Sequence, residues 1–433
     1  MSEIMLYMPE DRPPIWKNLV YSLQTLLACF SATILVPILV GLPTNVALFS
    51  AGLATLIMIL ITKNKVYTFL GSSFAFIGAF IMVKETYGIN YAFGGTISSG
   101  IFYCIIALII AFAGDKWIHK ALSPIVIGPT IICIGMSLAP TAISMASTGI
   151  DGQYSLTSLS IAGITIVITL IASIPLKKYF GSISVLAGLC ITYFIVLVLG
   201  KIIPAYNIIS FQSFKETPFF YIPHFYIPKF NSTSVLIFII VSLSTVCEHI
   251  GDMTTISNAL KRDILINPGL KRTLLGDGIG NIIAGFTGSV ANTSYGEATA
   301  TMIMTRVAST WVTGGAAILA ILLSFFGKFG GLLGTLPTPI LGGTVIILYG
   351  LISSAGLRLL IEKQIDFKET RNVMIGSIIM SIGLGGGILS ITLHNTEIKL
   401  TSIAFASLIG IILNIILPEK KEHILKSSSL FNR

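Results

Sequence analysis

The sequence predicts an all-α membrane protein that crosses the bilayer many times, and three observations lead to this fold class. Of the 433 residues, 54% are hydrophobic and only 10% are charged. The mean hydropathy is +0.90. Apolar stretches follow one another almost from end to end. Because a soluble globular domain carries about 25% charged residues, this composition excludes a water-soluble shell.

Fourteen apolar segments are predicted, each judged against the ~20 residues that a bilayer-spanning helix requires. Segments 3 and 10 are short and interrupted. We expect one transmembrane domain over residues 16–417, between an N-terminal tail (1–15) and a C-terminal tail (418–433). Residues 1–17 lack the apolar core of a signal peptide, so the first span is expected to be retained. The segments are 16–40, 46–62, 67–83, 91–113, 121–142, 156–176, 179–200, 233–259, 272–287, 292–305, 308–327, 338–360, 372–389 and 398–417.

The basic residues predict the orientation of these segments. An even number of spans places both termini on one side, and that side receives 21 of the 27 Lys and Arg residues. Cytoplasmic loops carry such an excess, so both termini are expected in the cytoplasm of a cell-membrane protein. The net charge of +9 then faces anionic lipid rather than nucleic acid. The six remaining basic residues are Lys84, Lys201, Lys215, Lys229, Lys328 and Lys399.

Two predicted segments are broken by polar and small residues. Residues 66–83 read VYTFLGSSFAFIGAFIMV, and residues 286–305 read FTGSVANTSYGEATATMIMT. Non-helical backbone inside a bilayer persists only where protein or a water-filled cavity satisfies it. The breaks occupy equivalent positions of two seven-segment halves, which must be inverted because seven is odd. Paired breaks in inverted halves indicate a transporter's binding site, whereas loose small-residue packing is the alternative interpretation.

Acidic residues lie mostly in predicted loops, and the main candidate set consists of three that do not. Glu248 and Asp252 are one helical turn apart, and Glu297 lies at the second break. An ionisable group in hydrocarbon is costly, so it is expected to line a cavity. Burial and like-charge repulsion both disfavour the charged form, so at least one carboxyl group should hold and exchange a proton. This chemistry is typical of a proton-coupled carrier.

Other candidate groups receive weaker interpretations. Asp277, in the ninth segment, is either a member of a proton relay or an acid that lines the cavity. His249 points about 100° away from Glu248 on a helix and is expected to be an ordinary buried histidine. The five cysteines show no metal-ligand spacing, so we predict no metal site and no cofactor besides a co-transported proton. The predicted spans contain no credible nucleophile–base set and no metal-binding motif, so the sequence does not indicate an enzyme.

The longest external loop, near residues 201–232, contains Pro218, Pro223 and Pro228. These prolines exclude a regular helix. Its aromatic residues indicate an anchor at the membrane–water boundary, and a lid over an outer vestibule is the alternative.

Several stretches together resemble the nucleobase–ascorbate transporter (nucleobase:cation symporter) family, on its branch of bacterial uracil permeases. The likeness extends over residues 12–417 and includes FLGSSFAFI, CEHIGDMTTISNALKRDILINPGLKRTLLGDGIGNIIAGFTGS and NTSYGEA. It implies fourteen segments in two inverted sevens, with short antiparallel strands in segments 3 and 10. It also implies a core (about 16–113 and 233–327) and a gate (about 121–200 and 338–417). Family members carry a free nucleobase inward with protons by moving the gate against the core, and a homodimer is consistent with the family.

The resemblance also implies roles for individual residues. Glu248 matches a glutamate that binds both the base and the proton, and Glu297 matches the second base-binding glutamate. With Asp252 and Asp277, Glu248 forms the expected proton-coupling set. The expected substrate-binding residues are Glu248, Glu297, Phe74, Tyr295, Gly296, Ser73 and Tyr349. Uracil suits such a site, because carboxylates accept its N–H groups and backbone N–H groups bind its carbonyls.

Asp252, Ala298 and Thr25 depart from the family pattern, and Asp277, like Asp252, is similar to the purine branch. Asp252 stands where related uracil permeases have histidine, and aspartate there is similar to the purine branch. Glu297 points the other way, because purine carriers have glutamine at its position. Ala298 replaces an asparagine, and Thr25 replaces a histidine. The sequence therefore predicts proton-coupled uracil import, with xanthine or hypoxanthine as the alternative substrate and a passive channel as a remote alternative.

Overall fold

Helices make up most of the structure, which is a computed structural model. It describes residues 5–114, 116–149, 151–176, 184–223, 225–387, 389–393, 396–400 and 402–418. Residues 1–4 of the predicted N-terminal tail and all but the first residue of the predicted tail 418–433 lie outside this range. The start of the seventh predicted segment, residues 179–183, also lies outside it.

Each of the fourteen predicted segments overlaps a helix of the structure. Within the described residues, eight helices are long and apolar enough to cross a membrane, and three shorter apolar helices accompany them. The helices of the first half are α1 (Ile15–Val40), α2 (Thr44–Ile61), α3 (Ile77–Tyr87), α4 (Ile89–Ala113), α5 (Lys116–Ala121), α6 (Pro124–Ser137), α7 (Ala139–Ser147), α8 (Leu156–Leu176), α9 (Ser184–Ile202) and α10 (Gln212–Glu216). Those of the second half are α11 (Ser232–Leu260), α12 (Leu270–Thr287), α13 (Gly296–Thr305), α14 (Thr310–Ser324), α15 (Gly327–Leu333), α16 (Thr338–Glu362), α17 (Thr370–Leu384) and α18 (Ser402–Ile416).

Local sequence signals explain where several helices begin and end. Helix α1 ends at Gly41, whose φ of 76° is a left-handed conformation that glycine adopts without strain. Asn231 caps α11, because its side chain accepts a hydrogen bond of 2.7 Å from the N–H of Ser234. Ser309 caps α14 in the same way. These capping residues therefore determine where the helices begin and end.

The two broken segments meet as a pair of short antiparallel strands. Strand β1 (Leu70–Ser72) pairs with β2 (Asn292–Ser294) so that Gly71 lies opposite Thr293. Neighbouring side chains complete the hydrogen bonding, since Thr55 Oγ1 accepts from the N–H of Leu70 at 2.9 Å. The expected antiparallel strands in segments 3 and 10 are therefore confirmed.

The helices pack in two groups. The first helix group contains α1–α4 and α11–α14 with both strands; α4 packs against α12, and α2 packs against α14 and α12. The second helix group contains α6–α9 and α16–α18; α6 packs against α16 and α17, and α8 packs against α9 and α16. Small residues allow close approach, because a Cβ at Gly100 of α4 would lie 2.4 Å from the carbonyl oxygen of Gly278 in α12.

Two features differ from the all-α expectation. Strands β3 (Leu389–Leu393) and β4 (Thr396–Leu400) form an antiparallel hairpin between predicted segments 13 and 14, and they include the last residue of segment 13 and the first three residues of segment 14. Their β-branched residues favour strands, although the apolar composition is also compatible with a span. The fifth segment, 121–142, is divided into α6 and α7 because Pro140 begins a new helix.

The connection between α9 and α11 lies along the first helix group. It is mostly irregular, as its prolines predict, and it contains the short helix α10. The N–H of Tyr221 donates to the carbonyl of Phe325 at 2.8 Å, and the N–H of Lys229 donates to that of Asn90 at 3.0 Å. None of its described residues lines the cavity at the ends of β1 and β2, and a lid over an outer vestibule stays a prediction.

Candidate functional site

A cavity of about 400 Å³ lies between the two helix groups, at the ends of β1 and β2. The first helix group supplies a polar wall and the second supplies a largely apolar wall. Polar-wall residues include Ser73, Glu248, Asp252, Ser294, Gly296 and Glu297. Apolar-wall residues include Ile131, Ile134, Val185, Leu348, Leu351 and Ile352.

The polar wall carries three carboxyl groups. Glu248 and Asp252 lie one turn apart on α11, and Glu297 lies in the first turn of α13. All three are half-buried and face the cavity. Among the described residues, no Lys or Arg forms a salt bridge within 4.0 Å with any of these three carboxyl groups. They remain available to a ligand or to protons.

The two strands aim helix N-termini at the same cavity. Strand β1 leads through a short 3₁₀ turn (Phe74–Phe76) into α3, and β2 leads directly into α13 at Gly296. The first N–H groups of a helix have no acceptor within that helix. The Ser73 hydroxyl satisfies one of them by accepting from the N–H of Ala75 at 3.3 Å. Phe74 begins the 3₁₀ turn and Gly296 begins α13, and both residues line the cavity, so a helix start that favours an electron-rich group lies beside it.

Tyr295 holds the two strands together. Its hydroxyl donates to the carbonyl of Ser72 at 3.0 Å and lies 3.3 Å from Thr33 Oγ1. Its ring lies over β1, because a Cβ at Gly71 would come within 2.5 Å of the ring. Only a residue without a side chain at position 71 allows this arrangement.

Tyr349 lies just behind the cavity rather than on its surface. It is 1% exposed, and its ring meets the ring of Phe74 edge to face at 5.6 Å. Phe74 itself lines the cavity. Both residues belong to the large buried apolar cluster that also contains Ile34, Leu341 and Val345. The cavity extends along α16 to Arg358 and Glu362.

Asp277 does not line the cavity. It is fully buried on α12, and its Oδ2 lies 2.8 Å from Nδ1 of His249. The expectation of an acid that lines the cavity is therefore wrong for Asp277, and membership of a relay stays a prediction. His249 is fully buried, as expected, but it has a charged partner and is not an ordinary core histidine.

Sequence reasoning missed several cavity residues. Ser294 lies in the quoted motif NTSYGEA, and its hydroxyl donates to Asp252 Oδ2 at 3.2 Å. Thr255 lies one turn beyond Asp252 on α11, and that spacing from Glu248 and Asp252 could have identified it. The apolar wall gave no signal, because its residues are no different in type from those that face lipid. Of the nine predicted site residues, the cavity brings together Ser73, Phe74, Glu248, Asp252, Tyr295, Gly296 and Glu297, and leaves Tyr349 and Asp277 behind it.

Broken helices that meet at a cavity between two helix groups are typical of a multi-pass membrane transporter. The chain belongs to the xanthine/uracil permease family: the profile described as "Permease family" matches residues 16–392. The family resemblance read from the sequence is thereby confirmed.

Curated relatives cover nearly the whole chain. A uracil permease of Bacillus caldolyticus is 40% identical over 414 residues, which are 95% of each chain. The uracil permease of Bacillus subtilis is 39% identical over 422 residues, again 95% of each chain. That of Escherichia coli K12 is 36% identical over 409 residues, 94% of this chain and 92% of its own.

Solved structures share the fold at much lower identity. The transmembrane domain of a cyanobacterial bicarbonate transporter, BicA, superposes with a TM-score of 0.60 at 13% identity, covering 94% of this chain and 99% of that one. The anion transporter SLC26A9 gives a TM-score of 0.66 at 12% identity, covering 93% of this chain and 65% of that one. At this identity the likeness concerns the fold alone.

Proposed function

We propose that this permease imports uracil together with protons across the cell membrane by alternating access. The observation that carries the proposal is the cavity with one acidic wall and one apolar wall, in a chain whose full-length relatives are uracil permeases. Uracil is planar and neutral, with two N–H donors and two carbonyl acceptors. It needs acceptors and donors on one edge of the site and apolar contact elsewhere.

The acidic wall supplies both kinds of partner. The carboxylates of Glu248 and Glu297 accept the N–H groups of the base, and charge-assisted bonds of this kind are about twice as strong as neutral ones. The helix-start N–H groups of Phe74 and Gly296 donate to its carbonyl oxygens. Tyr295 fixes the strands that present these groups, and Ser73 orients the turn at Phe74.

The proton is assigned to the carboxyl groups on α11. Glu248 and Asp252 share one helix face of the cavity, and within the described part of the chain neither forms a salt bridge with a lysine or an arginine. Two neighbouring carboxylates in such a place repel each other, so one of them binds a proton. A protonated acid donates to a uracil carbonyl, whereas the ionised form accepts from N–H, so proton binding and base binding are linked.

Alternating access requires two rigid bodies, and the packing supports a core and a gate built from inverted halves. Exchanging the halves of the sequence converts the α4–α12 contact into the α14–α2 contact, and both are present. It also converts the α8–α16 contact into α17–α6, and α8–α9 into α17–α18, which are present as well. We assign the core to about 16–113 and 233–327, and the gate to about 121–200 and 338–417, within fourteen segments.

The apolar wall gives the gate a surface that slides without breaking hydrogen bonds. In the conformation described, the cavity extends to Arg358 and Glu362 on α16. The excess of basic residues on this side supports a cytoplasmic location for this end of the cavity and for both termini. We therefore assign an inward-open state, closed on the outside by the cluster around Phe74 and Tyr349. A homodimer in the membrane lipid remains a prediction from the family.

Uptake into proteoliposomes tests the function. We expect labelled uracil to accumulate when the outside is acidified relative to the lumen and to equilibrate without accumulation when a protonophore is present. Glu248→Gln keeps the size of the side chain but cannot exchange a proton, so it should abolish accumulation. Accumulation that is indifferent to the protonophore, or unchanged in Glu248→Gln, would contradict the proposal, and conductance without saturation would indicate a channel instead.

A purine is the second candidate substrate. Asp252 lines the cavity, and an aspartate at this position is similar to the purine branch of the family. Competition of labelled-uracil uptake by unlabelled uracil, thymine, xanthine and hypoxanthine separates the two. Uracil should compete at the lowest concentration. Stronger competition by xanthine or hypoxanthine would reassign the substrate.

A further inference from the structure

A buried histidine connects three elements directly behind the acidic wall. His249 follows Glu248 on α11 but faces away from the cavity, and it is 0% exposed. Its Nδ1 lies 2.8 Å from Oδ2 of Asp277, and its Nε2 lies 2.9 Å from Oγ1 of Thr273. Both partners belong to α12. The imidazole ring therefore fixes α11 to α12 through two polar contacts.

The same ring reaches the cavity through one hydroxyl group. Ser294 Oγ on β2 lies 3.3 Å from His249 Nδ1 and donates to Asp252 Oδ2 at 3.2 Å. A serine hydroxyl has one hydrogen, so when it donates to Asp252 its oxygen can only accept from Nδ1. Nδ1 must then carry the hydrogen, and the Asp277 carboxylate oxygen 2.8 Å away favours that protonated nitrogen electrostatically. The hydrogen bonds from His249 to Ser294 and from Ser294 to Asp252 therefore both run toward Asp252.

We propose that His249 is a positioning residue for Asp252, acting through Ser294. This inference rests on the proposed function, because it concerns the acid that shares the transported proton. With its hydroxyl oriented by His249, Ser294 holds Oδ2 of Asp252 and leaves the other oxygen to face the cavity. A hydrogen bond donated to a carboxylate favours its charged form, so the series promotes release of the proton from Asp252.

Other charged groups surround Asp252 and are unchanged by alterations at His249. Glu248 lies on the same helix and Glu297 on α13, and both favour protonation of Asp252 by like-charge repulsion. Arg358 and Glu362 lie on α16 at the far end of the cavity. The His249 series opposes the two glutamates, and its loss leaves their repulsion unbalanced.

Two substitutions separate this role from packing. In His249→Asn the amide nitrogen occupies the place of Nδ1, so the donor toward Ser294 and Asp277 is retained. In His249→Gln the amide reaches the place of Nε2, so the contact with Thr273 is retained and the donor at Nδ1 is lost. Ser294→Ala removes the link itself while leaving His249 and Asp277 in place. The measurements are uracil uptake against external pH, with KM and the maximal rate at each pH, and the melting temperature of each purified variant.

We expect His249→Gln and Ser294→Ala to move the half-maximal pH of uptake upward by about one unit, because a hydrogen bond to a charged group is lost. His249→Asn should keep the profile of the unaltered permease. Equal profiles in both His249 variants would overturn the inference, as would an unshifted profile in Ser294→Ala. If His249→Gln does not fold, Ser294→Ala decides the question. Failure of the proposed function is separate, because it is seen as uptake by the unaltered permease that does not respond to a protonophore.

Discussion

Gly71 is the position where a single methyl group should test the architecture of the site. A Cβ there would lie 2.5 Å from Cζ and Oη of Tyr295, whereas ordinary contact begins at 3.4 Å. The ring of Tyr295 must therefore move by about 0.9 Å. It is only 4% exposed, and its hydroxyl is held by the carbonyl of Ser72 at 3.0 Å. Overpacking costs about 1–3 kcal/mol, and the weakened hydrogen bond adds about 1 kcal/mol, so Gly71→Ala should destabilise the permease by about 2–4 kcal/mol.

The assay compares thermal unfolding of purified variants in detergent with equilibrium binding of uracil. Gly78→Ala is the matched control, because Gly78 lies on α3 and a Cβ there meets nothing within 4 Å. It should be neutral or stabilising by up to about 1 kcal/mol, since glycine is unfavourable inside a helix. Gly71→Ala should also weaken uracil binding. Movement of Tyr295 displaces the adjacent Gly296, and movement of β1 displaces Phe74, which lies just beyond that strand.

A double-mutant cycle identifies the cause. Tyr295→Leu shortens the side chain that meets the new methyl group, so Gly71→Ala should cost at least about 1 kcal/mol less in that background. The reasoning is refuted if Gly71→Ala melts at the same temperature as Gly78→Ala, or if its cost is the same with and without the tyrosine ring.

Three further predictions concern the helix contact, the strand and the second glutamate. Gly100→Val should lower the melting temperature markedly, because α4 and α12 touch at Gly100. Gly163→Ala on α8 should not, because a Cβ there has open space, and equal melting temperatures for the two variants would contradict the prediction. Asn281→Leu should destabilise the permease by about 1–3 kcal/mol, because the N–H of Asn292 loses its acceptor. Asn281→Asp should retain most of the stability, and a Leu variant of unchanged stability would show that the hydrogen bond is unimportant. Glu297→Gln should raise KM for uracil about tenfold through the loss of about 1.4 kcal/mol, with accumulation ratio retained; an unchanged KM would remove Glu297 from the binding site.

Composition and periodicity predicted the helical membrane fold because every spanning helix must be apolar over its full length. They also located both breaks, since Gly, Ser and Thr in a span indicate backbone that needs outside partners. The hairpin of β3 and β4 was not predicted, because most of it lies in residues 390–397, which were interpreted only as the connection between segments 13 and 14.

The acids that line the cavity were predictable, because a carboxylate is costly in hydrocarbon and is therefore expected to face a cavity. The partner of His249 was not, because the approach of Asp277 depends on how α11 and α12 are rotated about their axes, which no sequence period specifies. The close approach of Tyr295 to Gly71 was likewise hidden, since the two residues belong to different halves of the chain. The sequence indicates which residues need partners, and packing determines which partners they have.

The pairing of β1 with β2 also affects how the protein is made. The hydroxyl of Tyr295 and the carbonyl of Ser72 are 223 residues apart, so the first strand enters the bilayer long before its partner leaves the ribosome. At about 5–20 residues per second, translation leaves β1 without its partner for about 10–45 s. During that interval the N–H and C=O groups of β1 need other hydrogen-bond partners, which the insertion machinery or water must supply. A nascent chain released before residue 292 never acquires the second strand, and quality-control proteases should remove it.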